Sequence, residues 1–102
     1  MVGATAFDSL QRLFFDKVFM GACGIHPLHG ITVIESDEAL ILNEMIKHAR
    51  QVIAVADSSK LGKVSPAFIC PCSDIHTLIT DTGATPEVLA PFERQSIRVI
   101  RV

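Results

Sequence analysis

The chain has 102 residues, 49% of them apolar, and nine basic against eleven acidic residues give a formal net charge of −2. That length holds one small domain rather than two, and no basic run or stripe is present to follow a phosphate backbone, so contact with DNA by these residues is not expected. Asp8, Arg12, Asp16 and Lys17 interrupt the beginning of the chain, which excludes a signal peptide or membrane span there and predicts a cytoplasmic location.

Apolar residues at positions 3, 6, 7, 10, 13 and 14 are spaced for a helix over residues 3–14. Residues 17–23 (KVFMGAC) then read as a short buried strand. Residues 24–30 (GIHPLHG) have the composition of a loop, and the β-branched run 31–34 predicts an edge strand or hairpin arm. A second helix starts at Ser36, a plausible N-cap, with Glu35, Asp37 and Glu38 at the positive end of its dipole. Its apolar stripe is Ile41, Leu42, Met45, Ile46 and Ala49, with Lys47, His48 and Arg50 near its end.

Residues 52–56 (VIAVA) form the clearest strand, central and buried on both faces, and 58–64 is a polar loop. Residues 67–70 and 77–80 are two further short strands. Thr85-Pro86-Glu87 combines a cap, a proline at the first helical position and an early acid. Pro91 is expected to break or tighten that helix, and 97–102 closes the chain as a strand. Helices alternating with buried strands predict an α/β fold, a mainly parallel Rossmann-like sheet flanked by helices with right-handed crossovers. Because the chain opens on a helix with no strand before it, the sheet is expected to be partial. A mean hydropathy of +0.41 without Trp or Tyr further predicts surface that meets a partner or another part of its own domain.

In an open α/β sheet ligands lie beyond the carboxyl ends of the strands, which directs attention to residues just after Ala22, Ala56 and Thr80. Asp57, Ser58, Ser59 and Lys60 leave the central strand there: an acid, two hydroxyls and a cation able to bind sugar hydroxyls and a phosphate or carbonyl. The plainer alternative is that Asp57 caps the next turn and Lys60 is solvated. Gly24 and Gly30 could let backbone approach a ligand closely, or serve ordinary turns.

Cys23, His26 and His29, and separately Cys70, Cys72 and His76, have metal-like spacing. Each set falls short of four ligands, and no metal or cofactor is expected. Three cysteines without an export signal predict reduced thiols. No nucleophile motif supports covalent catalysis, although Glu38 and Lys60 could act as base and electrophile in a carbonyl isomerisation.

Five segments in order, Gly21-Ala22-Cys23-Gly24-Ile25, Gly30-Ile31-Thr32, Glu38-Ala39, residues 56–62 (ADSSKLG) and Ile79-Thr80-Asp81, resemble the C-terminal half of the effector domain of DeoR-family transcriptional repressors. Within that family the chain is most similar to regulators of galactitol- and galactosamine-type sugar operons. The resemblance implies a sensor with a ribose-5-phosphate isomerase-like fold, lacking its first half, in a protein whose helix-turn-helix DNA-binding domain lies outside this chain. It implies a phosphorylated sugar or sugar alcohol as effector, a homo-oligomer and no catalysis. By position it assigns ligand contacts to Asp57, Ser59, Lys60, Gly24, Gly30 and Glu38. Cys23 stands where the repressors often carry Asp or Asn, Ser96 where a glycine commonly ends the last helix, and the phosphate-holding loops are expected in the absent half. A small sugar-phosphate isomerase using Glu38 and Lys60, or a non-functional remnant of a repressor, are the competing expectations.

Overall fold

The computed structural model describes residues 8, 9 and 12–102. The helix expected over residues 3–14 therefore lies mostly outside the described residues; Arg12 stands in a turn and Leu13 and Phe14 are irregular. In chain order the elements are β1 (Phe15–Gly21), β2 (Gly24–His26), β3 (Gly30–Val33), α1 (Ser36–Lys47), β4 (Ala49–Val55), β5 (Ala67–Cys70), β6 (Thr77–Thr80), α2 (Pro86–Glu93) and β7 (Arg98–Arg101). Short 3₁₀ turns occupy Ser58–Lys60 and Cys72–Asp74.

Four strands make an open parallel sheet in the order β1-β4-β6-β7. The α/β class with a mainly parallel sheet is thus observed. Each strand is added on the same side of its predecessor, and parallel neighbours joined in this way follow right-handed crossovers as a general rule. Val18, Met20, Val52, Ala54 and Leu78 are buried. On alternating positions Phe19 is 63% and Val55 41% exposed, so β4 is not covered on both faces along its whole length, although its continuous apolar run predicts that it is.

The loop expected at residues 24–30 is instead part of a second sheet. β2 and β3 pair as an antiparallel hairpin, and β5 adds to β3, giving the order β2-β3-β5. The loop-like composition has a physical source: Gly30 has φ +79° and its Cβ position would fall 2.3 Å from the Cys70 carbonyl oxygen. A glycine is needed there for both conformation and space.

α1 packs over this second sheet and is clamped by Asn43 Nδ2, which donates to the Ile69 carbonyl at 2.8 Å. Its N-cap is Glu35, without a side-chain cap bond, and Ser36 is already helical. Ala39, Glu44 and Ile46 are its buried residues, whereas Ala49 belongs to β4. The Glu44 carboxylate is held by His48 Nε2 at 3.1 Å, one turn along. α2 starts as expected, with Thr85 Oγ1 accepting from Val88 N and Pro86 at the first position. It runs through Pro91 to Glu93 without a break. Burial of Leu89 and Phe92 against the sheet, together worth about 4–5 kcal/mol, outweighs the one backbone bond that Pro91 forfeits. The chain then turns at Ser96, which has φ +66°.

Candidate functional site

The site is built where β4 and β6 end. Backbone bonding carries the pairing with β6 one residue past the end of β4, with Ala56 N donating to the Ile79 carbonyl at 3.1 Å. The two following loops therefore leave the same sheet edge side by side. Asp57 is the N-cap of the first 3₁₀ turn; its Oδ1 accepts from Ser59 N at 2.9 Å and from the Ser59 hydroxyl. The capping alternative is therefore realised, and it occupies one carboxylate oxygen. Oδ2 has no hydrogen bond among the described residues, and neither does the half-exposed Lys60 ammonium. Hydrogen bonds from the Ser59 hydroxyl and backbone hold the Asp57 carboxyl below the ordinary aspartate range, with the nearby Lys60 charge a lesser cause.

The second sheet locks onto this turn. Ile25 forms an isolated parallel bridge with Leu61, and Gly62 N donates to the Ile25 carbonyl at 2.7 Å. Gly24 makes the approach possible. A Cβ there would lie 2.5 Å from the Lys63 carbonyl oxygen and 2.7 Å from Thr32 Oγ1, well inside contact distance. The structure thus brings Gly24 together with residues 57–62, but turns its open side to its own chain. Gly30 sits at the far end of the hairpin against Cys70 and Pro71. Glu38 is on the exposed first turn of α1, joined by no hydrogen bond or ion pair to Asp57 or Lys60.

One residue at the site is missed by the reading from sequence. Asp81, directly after β6, reaches across to the first loop: its Oδ2 accepts from Ser58 N at 3.0 Å and its Oδ1 from Gly83 N at 2.8 Å. Hydrogen bonds from the Ser58 backbone and hydroxyl, then from Gly83, hold its carboxyl below the ordinary range. Its position after a strand in the Ile79-Thr80-Asp81 segment was the available signal; its partner loop is visible only in three dimensions.

Cys72, His26 and His76 of the cysteine and histidine sets form hydrogen bonds within the fold. Cys72 Sγ donates to the His26 carbonyl at 3.2 Å, His26 Nδ1 accepts from Leu28 N and His29 N, and His76 Nδ1 accepts from Val52 N at 2.9 Å. All three cysteines are free thiols, and no group of three His, Cys, Asp or Glu is placed for a metal among the described residues. A hollow of about 490 Å³ beside Phe14, Lys47, His48 and Arg50 lies at the amino ends of β1 and β4, opposite the edge where open parallel sheets bind ligands.

Comparison with known proteins places these features in a family. The chain is 37% identical over 81 residues to the HTH-type transcriptional repressor GlcR of Bacillus subtilis (strain 168), covering 79% of this chain and 31% of that protein. It is 31% identical over 100 residues to the HTH-type transcriptional regulator GlpR of Haloferax volcanii, covering 98% of this chain and 39% of that protein. An uncharacterized HTH-type transcriptional regulator of Bacillus subtilis (strain 168), FruR, matches at 32% over 81 residues, covering 79% of this chain and 32% of that protein. The chain thus spans between 31% and 39% of the length of these relatives, all of them transcriptional regulators. Residues 1–82 match the family described as the DeoR C terminal sensor domain, and the chain belongs to that family.

Proposed function

We propose that this chain is the effector-sensing part of a DeoR-type transcriptional repressor of a sugar-utilisation operon. The effector is a phosphorylated sugar or sugar alcohol, of the galactitol or galactosamine type. One observation carries the reading: Asp57 Oδ2 and the Lys60 ammonium stand without protein partners, among the described residues, beyond the carboxyl end of the central strand. Asp57 accepts from sugar hydroxyls, Ser59 offers its hydroxyl, and Lys60 engages an anionic or carbonyl oxygen. Gly24 serves the site by letting residues 61–63 close onto the hairpin, and Gly30 by shaping that hairpin. Glu38 is assigned to the site by family position alone.

Sensing requires no chemistry on the ligand, so no catalysis and no cofactor are proposed. DNA is bound through a helix-turn-helix domain outside these residues, and the intact repressor is a cytoplasmic homo-oligomer. Ligand binding shifts its population of DNA-competent forms by differential affinity. No helix among the described residues is long and apolar enough to cross a membrane.

Calorimetric titration of the full chain with galactitol 1-phosphate, tagatose 6-phosphate and galactosamine 6-phosphate tests the reading, with inorganic phosphate as comparator. Saturable binding of one sugar phosphate in preference to inorganic phosphate, lost in Lys60→Ala, is expected. Turnover of the sugar, or the absence of any saturable binding, overturns it.

A further inference from the structure

We infer that Asp81 is the positioning residue of the ligand turn: its carboxylate holds the turn Ser58–Lys60 in place and ties it to the loop that opens α2. The inference rests on the proposed ligand role of residues 57–62. An aspartate that merely capped its own turn would need one oxygen, the one that accepts from Gly83 N at 2.8 Å. The other oxygen crosses to the loop after β4 and accepts from Ser58 N at 3.0 Å, across a sequence separation of 23 residues. Two N–H groups from two loops converge on one carboxylate, a charge-assisted arrangement stronger than either bond between neutral groups.

The space around Asp81 is fitted to this contact. A Cβ on Gly83 would lie 2.8 Å from Ser58 Oγ and 2.9 Å from Asp81 Oδ1, so a side chain there would push on the two side chains that meet between the loops. Within the ligand turn, Lys60 N donates to the Asp57 carbonyl at 3.0 Å and Leu61 N to the Ser58 carbonyl at 3.3 Å. Fixing Ser58 therefore fixes the turn that presents Lys60. The tie continues beyond Gly83: Ala84 N donates to the Asp81 carbonyl at 3.2 Å, and the Ala84 carbonyl accepts from Arg101 Nη1 at 3.0 Å. Asp81 thereby connects the ligand turn to the start of α2 and to the end of β7. A ligand that pulls on Lys60 pulls on both.

Asp81→Asn is the discriminating variant. It keeps the shape, but an amide offers one acceptor oxygen and places an NH₂ against the second N–H donor, so one of the two ties must fail. Gly83→Ala is a second variant that leaves the charge in place and presses on both partners. Amide hydrogen exchange of the full chain without ligand is expected to accelerate by at least about tenfold at Ser58, Lys60 and Leu61 in Asp81→Asn. Amides in the middle of β4 should keep wild-type protection. Affinity for the sugar phosphate that binds the wild type should fall by about tenfold in both variants, at a melting temperature near that of the wild type. Unchanged exchange at Ser58–Leu61, or unchanged affinity, overturns the inference. If the wild type binds none of the sugar phosphates, the proposed function fails, and the exchange measurement alone decides the role of Asp81.

Discussion

Replacing Gly24 with alanine separates a demand for space from a demand for backbone conformation, with Gly62→Ala as the matched control. Gly24 has no unusual backbone angle, but its added Cβ would meet the Lys63 carbonyl oxygen at 2.5 Å and Thr32 Oγ1 at 2.7 Å. The carbonyl is backbone and cannot rotate away. Thr32 Oγ1 is committed to two bonds, donating to the Gly24 carbonyl at 3.3 Å and accepting from Ser65 N at 2.8 Å. Overpacking costs about 1–3 kcal/mol, and displacing Thr32 adds about 1 kcal/mol for weakened hydrogen bonds. Gly24→Ala should therefore cost about 2–4 kcal/mol in all.

Gly62 presents the reverse case. Its φ of +85° suits glycine, yet nothing lies within 4 Å of an added Cβ. The left-handed penalty, partly offset by a less flexible unfolded chain, leaves a cost of about 1 kcal/mol. Urea unfolding of the full chain gives both values; because Trp and Tyr are absent, far-ultraviolet circular dichroism is the probe. Near 100 residues each kcal/mol shifts the melting temperature by about 4–8 °C, so the two variants should separate clearly in a thermal scan as well. A Gly24→Ala cost no larger than that of Gly62→Ala would refute the close-approach argument.

Three further outcomes are expected. Ser96, at φ +66° after α2, is strained, and Ser96→Gly should stabilise the fold by about 0.5–1 kcal/mol; a lower melting temperature would contradict this. Thr80 Oγ1 is buried without a hydrogen-bond partner among the described residues, so Thr80→Val should raise stability by about 1 kcal/mol in urea titration. A loss of stability would show that the hydroxyl is satisfied. Iodoacetamide at pH 8 should label partly exposed Cys23 first, because burial pushes the Cys70 thiol up to about 12 and raises that of Cys72 as well. Labelling of Cys70 at the Cys23 rate in the folded chain, read by mass spectrometry, would contradict its burial.

The elements most legible in the sequence were those whose signals are local. The apolar run over 52–56, the acidic start of α1 and the Thr85-Pro86-Glu87 cap each lie within a few residues of the structure they specify. The hairpin of β2 and β3 was hidden because His26, Pro27 and two glycines dominate its composition, while the sheet that stabilises it is completed by β5, far along the chain. Pro91 misled for a similar reason: its local penalty is visible in sequence, the burial of Phe92 that offsets it is not. Within the site, Asp57 and Lys60 announced themselves by following a buried strand. Asp81 follows a strand too, but its significance comes from Ser58, which reaches it only after β4 and β6 have paired.

The single direction in which the parallel sheet grows has a kinetic consequence. Its pairings join Phe15 to Ala49, Ile53 to Thr77 and Thr77 to Arg98, so each requires closure of a long loop before it returns any stabilisation. Among the described strands, the β2–β3 hairpin is the one pairing closed locally, between Gly24 and Thr32. Hairpins of that kind form in about 1–10 μs, far ahead of a sheet built on distant closures. The Ser58–Lys60 turn is secured by Ile25 on one side and Asp81 on the other. Its tie to Asp81 exists only when β4 and β6 are paired, so the part proposed to hold the ligand depends on distant closures as well as on the local hairpin.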